Sequence, residues 1–180
     1  MASSELTPDK LETQLERLHE DSFGWALSCC AWDEADAEDV LQTTYLKVVS
    51  GRARFGGRSA FRTWLFGVIR QTAREHHRRV RSHQDRAERF AQEGSGHGRS
   101  ADPAEEVERS EARQILLGAL AELPARQREV LHLVFYQDMT VREAAEVMEV
   151  SLGSARVHYD RGKKRLKVLL LDRDAGGGSL

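Results

Sequence analysis

Arginine is the residue whose number and spacing first indicate a chemistry in this sequence. Residues 52–81 contain nine arginines against a single acidic residue, Glu75, although the whole chain has a formal net charge of -2. Guanidinium groups bind phosphate, and a local basic patch attracts nucleic acid even on a mildly acidic molecule. The segment therefore predicts a nucleic-acid-binding surface. The alternative is that these arginines only form solvated helix faces, as most charge runs do.

A second basic surface is predicted close to the C terminus, on a helix over about 152–171. Ala155, Tyr159, Gly162 and Leu166 recur at helical spacing and would form its inner face. The outward residues would then be mostly polar or basic, namely Ser154, Arg156, Val157, His158, Arg161 and Lys164 or Arg165. A helix with such a face fits the DNA major groove. An ordinary helical hairpin with a solvated basic face is the alternative.

A short helix precedes that basic helix and completes a recognisable pair. Thr140 is followed three residues later by Glu143, which is the pattern of a capping box at a helix N terminus. Ala144 and Ala145 are small enough for a second helix to cross closely. The two helices together predict a helix-turn-helix.

Residues that could perform catalysis or bind metal give no pattern. The sequence has no nucleotide-binding glycine loop, zinc-protease motif or serine elbow. His76 and His77 are adjacent and would diverge on a helix, without a carboxylate cluster to complete a metal site. Cys29 and Cys30 are neighbours in sequence, and a disulfide between them would constrain the fold poorly. We therefore interpret them as reduced, small apolar residues. We expect that the protein is not an enzyme and that it binds neither a cofactor nor a metal ion.

The periodic segments that must position these residues are all helical. Leu11, Leu15, Leu18, Ser22, Ala26 and Cys30 share one predicted face. Further helices are predicted over 35–49 and over 60–83, the latter with Ser59 as its N-cap. Two more are predicted on either side of Pro124, and the helix before Pro124 would carry Val107. The fold class is therefore all-α.

A change in composition divides the chain. Residues 94–103 read GSGHGRSADP, which resists helix formation and is typical of a flexible linker. We predict two small helical domains, over 10–83 and 105–172, joined by a linker over 84–104. No stretch has the roughly 18 apolar residues of a membrane span, and the start has no secretory signal. A cytoplasmic location without membrane insertion is expected.

Three stretches of the sequence follow one family pattern in order and spacing. They read DAEDVLQTTYLKVV (36–49), AFRTWLFGVIR (60–70) and LPARQREVLHLVFYQDMTVREAAEVMEVSLGSARVHYDRGKKRL (123–166). Together they resemble the extracytoplasmic-function class of bacterial RNA polymerase sigma factors over residues 15–82 and 105–170. The resemblance implies a transcription initiation factor that binds core RNA polymerase and promoter DNA, and it implies an anti-sigma partner. A conventional helix-turn-helix regulator is the alternative.

The resemblance assigns roles to individual residues. The first domain, region 2, would dock on polymerase and open the minus-ten element; the second, region 4, would read the minus-thirty-five element. The polymerase-binding candidates are Asp36, Asp39, Gln42 and Thr43. The DNA-binding candidates in the first domain are Arg58, Arg62, Trp64, Arg70, Gln71, Arg74 and Arg78. Those in the second domain are the outward residues Ser154, Arg156, His158, Arg161 and Lys164. Structural alternatives remain for three of these residues: core packing for Trp64, and plain solvent exposure for Asp39 and Gln42.

Two local hypotheses refine the first domain. Arg70, Arg74 and Arg78 recur every four residues and would form a stripe along the phosphate backbone, away from the core face. The loop Phe55-Gly56-Gly57-Arg58 would hold an unpaired base.

The chain also departs from the family pattern, with Thr43 for Glu, Gln71 for Asn, Glu75 for Asp, Glu149 for Gly, His158 for Arg and Gly162 for Ala. Glu149 predicts a strained turn, because glycine more readily adopts a left-handed conformation.

Overall fold

The computed structural model describes residues 7–90 and 109–176, and helices are the only regular secondary structure within these ranges. The elements are α1 (Pro8–Arg17), α2 (His19–Cys29), α3 (Glu34–Val49), α4 (Phe61–Phe90), α5 (Arg109–Ala121), α6 (Ala125–Phe135), α7 (Val141–Met148) and α8 (Leu152–Gly176). The predicted all-α fold class is confirmed. We refer to α1–α4 as the N-terminal half and to α5–α8 as the C-terminal half. Residues 91–104 of the predicted linker, and Val107, lie outside the described residues.

The first predicted helix is two helices. Leu18 has φ -99° and ψ 5°, and it separates α1 from α2. The residues predicted to share one face still turn inward across this break, since Leu11, Leu15, Leu18, Ala26 and Cys30 lie in or against the main hydrophobic core and Ser22 is buried. Helix α1 packs on both α2 and α3. Asp33 then caps α3, since its Oδ1 accepts a hydrogen bond from the Asp36 backbone N–H at 2.9 Å.

Helix α4 differs from its prediction at both ends. It begins at Phe61, so Ala60 occupies the N-cap position, and the Ser59 hydroxyl bonds instead to the Ala60 carbonyl at 3.3 Å. The assignment of Ser59 as N-cap was wrong. At its other end α4 continues to Phe90, seven residues past the predicted boundary at His83. The mostly polar sequence after His83 is compatible with a helix even though it has no apolar face. The apolar periodicity in the sequence therefore stops before the helix does.

The predicted helix-turn-helix is present in the C-terminal half. The Thr140 Oγ1 accepts from the Glu143 backbone N–H at 3.2 Å, and the Glu143 carboxylate accepts from the Thr140 backbone N–H at 2.8 Å. Both bonds of the capping box are therefore formed. The helix ends at Met148, and its C-cap residue Glu149 adopts φ 54° and ψ 45°, the left-handed conformation that the departure from glycine led us to expect.

Replacing Glu149 with glycine is expected to stabilise the protein by about 1 kcal/mol, because glycine adopts the left-handed conformation without the Cβ conflict. Glu149 is 67% exposed and lies 4.0 Å from the Arg70 guanidinium, so the lost ion pair offsets little of this gain. Urea unfolding measures the difference. Glu149→Ala is the matched control, since it loses the carboxylate but keeps the strain. An alanine variant as stable as the glycine variant would contradict the argument.

Gly162 lies where α8 crosses α6. A Cβ at this position would meet Leu131 carbons at 3.2 Å and the Gln127 Cβ at 3.3 Å. The departure from alanine thus permits a close approach of the two helices, which offsets the lower helix propensity of glycine.

The main hydrophobic core is continuous between the two halves. Helix α4 packs on α7, and α2 packs on α6. Trp25 is fully buried at this junction; its indole N–H donates to the Phe66 carbonyl at 3.0 Å, and its ring lies 5.4 Å from the His132 ring. The described parts of the two predicted domains therefore share an interface in this structure.

Candidate nucleic-acid and polymerase interfaces

The outward face of α8 has the composition predicted for a DNA-reading helix. Ala155 and Gly162 are buried on the inner side, with Tyr159 and Leu166 partly buried. The opposite side exposes Ser154, Arg156, Arg161 and Lys164, whereas His158 is half-buried at its edge. The predicted inner and outer faces are confirmed. Several cationic or hydrogen-bonding side chains are thereby available along one helix, as major-groove reading requires.

The N-terminal half presents part of its predicted basic surface. Arg58, Gln71, Arg74 and Arg78 are exposed. Glu75, on the same helix, accepts a hydrogen bond from the Lys47 ammonium at 2.7 Å, and this bond is the main cause of a lowered carboxyl pKa. The acidic residue among the arginines is therefore bound to α3, which leaves the field along this part of α4 positive.

Arg70 does not belong to that exposed surface. Its side chain is 4% exposed, and its Nε donates to the Glu129 carboxylate on α6 at 3.1 Å. The predicted exposed stripe through Arg70, Arg74 and Arg78 was therefore wrong at its first member. The reason is that the C-terminal half covers this turn of α4, a contact that helical spacing alone does not reveal.

Arg62 is also held by the other half. Its Nη2 donates to the Gln137 side-chain oxygen at 2.8 Å and lies 3.2 Å from the Asp21 carboxylate. The guanidinium also lies 5.3 Å from the centre of the Phe66 ring. Two of the DNA-binding candidates, Arg62 and Arg70, are thus engaged between the halves in this arrangement.

An aromatic group lies beside the glycine loop. Phe55, Phe61 and Trp64 form a triangle with ring centres 5.3–5.4 Å apart, and all three are partly exposed. Trp64 therefore packs within this group and yet remains accessible. Phe55 was named only as a loop residue; its contact with Trp64 brings loop and helix together. Gly57 has φ 67°, which permits the turn between them.

The polymerase-binding candidates occupy different environments on α3. Asp39 and Gln42 are exposed, and Thr43 is half-buried. The Asp36 carboxylate lies 2.8 Å from the His76 Nε2, so it also fastens α3 to α4. A groove of about 460 Å³ lies beside Gln42 and is lined by His19, Phe23, Glu38, Leu41, Gln42 and Tyr45.

Two exposed apolar residues extend this surface along α3. Leu46 is 59% exposed and Val49 is 69% exposed. Sequence reasoning did not name them. They lie outside the buried face of α3, which carries Val40, Leu41, Thr44 and Val48, and helical spacing was the available signal for this. Exposed apolar groups beside a groove favour a protein partner.

The described residues offer neither a metal site nor a membrane-spanning helix. Within 7–90 and 109–176, no group of three or more His, Cys, Asp or Glu side chains is arranged to hold a metal ion. Cys29 and Cys30 are both free, and burial raises the Cys30 pKa to about 12, so this thiol stays protonated. No helix among the described residues has the length and apolar character needed to cross a membrane.

Comparison with known proteins identifies two family domains in this chain. Residues 15–83 match the model for "Sigma-70 region 2", and residues 113–166 match "Sigma-70, region 4". RNA polymerase sigma factor CarQ of Myxococcus xanthus is 31% identical over 137 residues, covering 74% of each chain. ECF RNA polymerase sigma factor SigC of Mycobacterium tuberculosis is 29% identical over 147 residues, covering 79% of this chain and 74% of that protein.

Solved structures agree in fold. The sigma factor RpoE of Bartonella quintana, solved with the anti-sigma factor NepR, gives a TM-score of 0.67 at 23% identity, covering 88% of this chain and 95% of that one. CnrH, solved with the cytosolic domain of CnrY, gives 0.62 at 22% identity, covering 93% and 91%. The fold and the outward face of α8 define an all-helical DNA-binding protein of two parts. The chain belongs to the extracytoplasmic-function class of RNA polymerase sigma factors.

Proposed function

We propose that this sigma factor uses three separate surfaces to direct core RNA polymerase to promoters. The N-terminal half docks on polymerase through α3. It binds and opens the minus-ten element through α4 and the loop before it, while α8 reads the minus-thirty-five element. The observation that carries this proposal is the exposed basic face of α8 in a chain that also has a region 2 domain. A conventional regulator is not favoured, because region 2 would then have no role.

Run-off transcription with purified core polymerase tests the function. Addition of the full chain is expected to give promoter-dependent transcripts, whereas a conventional repressor or activator added to core enzyme alone would give none.

Sigma factors are not enzymes, and polymerase supplies the bond-forming chemistry. We therefore place this chain in the cytoplasm, where polymerase and promoter DNA meet.

The proposed domain division follows the same roles. The first proposed domain spans 10–83 and the second spans 105–172. Helix α4 of the first domain continues past this boundary to Phe90. An anti-sigma factor is the proposed regulatory partner, supported by the presence of one in the solved complex of the similar protein RpoE.

Polymerase docking is proposed to use Asp39, Gln42 and the neighbouring groove, with Asp36 and Thr43 at the border of this surface. The double variant Asp39→Arg and Gln42→Ala is expected to weaken assembly with core polymerase about tenfold or more, because it reverses an exposed charge and removes an amide at an interface. Pull-down at several concentrations measures this loss. Glu12→Arg on exposed α1 is the charge-matched control. Undiminished assembly by the double variant would remove this part of α3 from the interface.

Capture of an unpaired base is proposed for the loop 55–58 and Trp64, with Arg58, Gln71, Arg74 and Arg78 along the adjoining phosphates. Removing a base from the stack costs a few kcal/mol, and stacking on an aromatic ring recovers about 1–3 kcal/mol. The triangle of Phe55, Phe61 and Trp64 supplies accessible rings of this kind.

Trp64→Leu keeps apolar bulk but loses the indole surface, so we expect transcription from duplex promoters to fall about tenfold. A template whose minus-ten region is already mismatched should restore much of the signal, because opening is no longer required. Assembly with core polymerase serves as the control and should be unchanged. An equal loss on duplex and mismatched templates would show that Trp64 serves folding or docking.

A further inference from the structure

The outward face of α8 has an apolar side chain near its centre. Val157 is 45% exposed, and among the exposed residues of 152–162 it alone has an apolar side chain. Because a helix turns through about 100° per residue, Val157 lies about 200° round the helix from Ala155 on the buried side. Ser154 and Arg161, three and four residues away, are its exposed neighbours on the same face. Val157 therefore lies where α8 would meet DNA most directly.

The surface beside Val157 is open to a close approach. Gly153, one turn earlier on the same face, is exposed, and a Cβ added there would meet only the Ser151 Oγ, at 3.9 Å. Packing within the protein therefore does not require glycine at this position, although glycine lowers helix stability. A residue without a side chain lets another molecule come close to the helix backbone. A side chain as short as that of valine can then touch a surface that a longer neighbour would hold away.

The start of α8 is fixed in place, which gives these short residues a defined direction. The Ser151 Oγ accepts a hydrogen bond from the Ser154 backbone N–H at 3.1 Å, and Arg126 Nη1 donates to the Met148 carbonyl at 3.0 Å in the turn before the helix. Val157 is β-branched, so its side chain has one strongly preferred rotamer in a helix. A contact made by its methyl groups therefore needs no ordering of a long, mobile side chain.

Major-groove chemistry indicates what a valine in this position recognises. The N-terminal residues of a recognition helix contact base edges, and Val157 is the sixth residue of α8. Base edges in this groove present donors and acceptors, and the C5-methyl group of thymine is the apolar group among them. Isolated exposed valines are common on protein surfaces. Val157 differs because it lies at the centre of a face whose other residues fit DNA.

We propose that Val157 determines specificity at one position of the minus-thirty-five element by packing against the C5-methyl group of a thymine. This role rests on the proposed function, because it assumes that α8 reads that element. Arg156 and Arg161, exposed on either side of Val157, supply the contacts to phosphates and to neighbouring base edges. Burial of one methyl group corresponds to about a fourfold change in affinity.

Removal of the methyl group from the DNA alone tests this contact. Deoxyuridine replaces thymidine without changing the base pair or the hydrogen-bonding groups of the base edge. Each thymine of the minus-thirty-five element, on both strands, is replaced in turn in a promoter that the wild-type holoenzyme transcribes. Equilibrium binding of the holoenzyme is measured at one salt concentration, since phosphate contacts make affinity strongly dependent on salt. One of the replacements is expected to weaken binding about fourfold.

Val157→Ala removes the protein side of the same contact. The ratio of the affinities for the thymine and deoxyuridine promoters is taken within each protein, so that any change in assembly with polymerase cancels. This ratio should fall from about four in the wild type to about one in Val157→Ala. Val168→Ala is the matched control, because Val168 is 54% exposed on the same helix, about 16 Å further along its axis. It should keep the wild-type ratio.

Three results would overturn the proposed role of Val157. The first is no effect of deoxyuridine at any position, and the second is an effect of equal size in the wild type and in Val157→Ala. The third is loss of the effect in Val168→Ala as well as in Val157→Ala. Failure of the proposed function is seen separately, by scrambling the whole minus-thirty-five element. Wild-type holoenzyme that binds the scrambled promoter as tightly as the intact one does not read this element at all.

Discussion

Alanine at Arg156, His158 and Arg161 is expected to weaken promoter binding by the polymerase complex by at least about a hundredfold. These side chains lie on the outward face of α8, and Arg156 and Arg161 are exposed. Loss of a base contact costs about 1–3 kcal/mol, and each 1.4 kcal/mol is a tenfold change in affinity. Because alanine favours helix and the positions lie outside the core, the fold should persist.

The kind of contact can be read from the same variants taken singly. Loss of a base contact should relax the preference at one position of the minus-thirty-five element, whereas loss of a phosphate contact should weaken binding to all sequences and flatten its salt dependence. Lys10→Ala with Arg17→Ala, both exposed on α1, removes two positive charges elsewhere and is the matched control. Wild-type affinity in the triple variant would mean that the recognition surface lies on another face.

Acidification from pH 7 to pH 4 is expected to lower the free energy of unfolding by about 3 kcal/mol through His132 alone. Burial lowers the pKa of His132 from 6.5 to about 4, since the ring lies between Trp25, Trp32 and Tyr136. The unfolded chain therefore binds a proton at a pH where the folded chain does not. The stability is fully present above about pH 6.5 and is lost as the pH falls toward 4.

Chemical unfolding at a series of pH values measures this effect, with His132→Phe as the control. Phenylalanine keeps a ring against Trp25 but cannot be protonated, so the slope of stability between pH 6.5 and pH 4.5 should be smaller. Glu75 and Glu143 have lowered carboxyl pKa values, caused mainly by hydrogen bonds from Lys47 and Thr140. Their contribution is present above the unfolded carboxyl pKa and is lost below about pH 4.5, which separates it from that of His132. Equal slopes in wild type and variant would contradict the argument.

Local signals in the sequence were sufficient for most of the helices and for one site. The capping box of Thr140 and Glu143 depends on residues three apart, and the faces of α8 depend on helical spacing alone. The core face of α3, with Val40, Leu41 and Val48, was predictable for the same reason. Ends of elements were less predictable, as the break at Leu18 and the extension of α4 to Phe90 show. A helix end outside the core has no periodic apolar residue to mark it.

The sequence by itself determined the all-helical class, the helix-turn-helix, the outward basic face of α8 and the family pattern. Only the tertiary structure decided which arginines of the N-terminal half are free. Arg70 meets Glu129 across 59 residues, and Arg62 meets Gln137 across 75. Helical periodicity shows which side chains share a face, but it carries no information about what packs on that face. The burial of Arg70, Gln137 and His132 arises where two halves meet, because burial is a property of surfaces brought together by the whole chain.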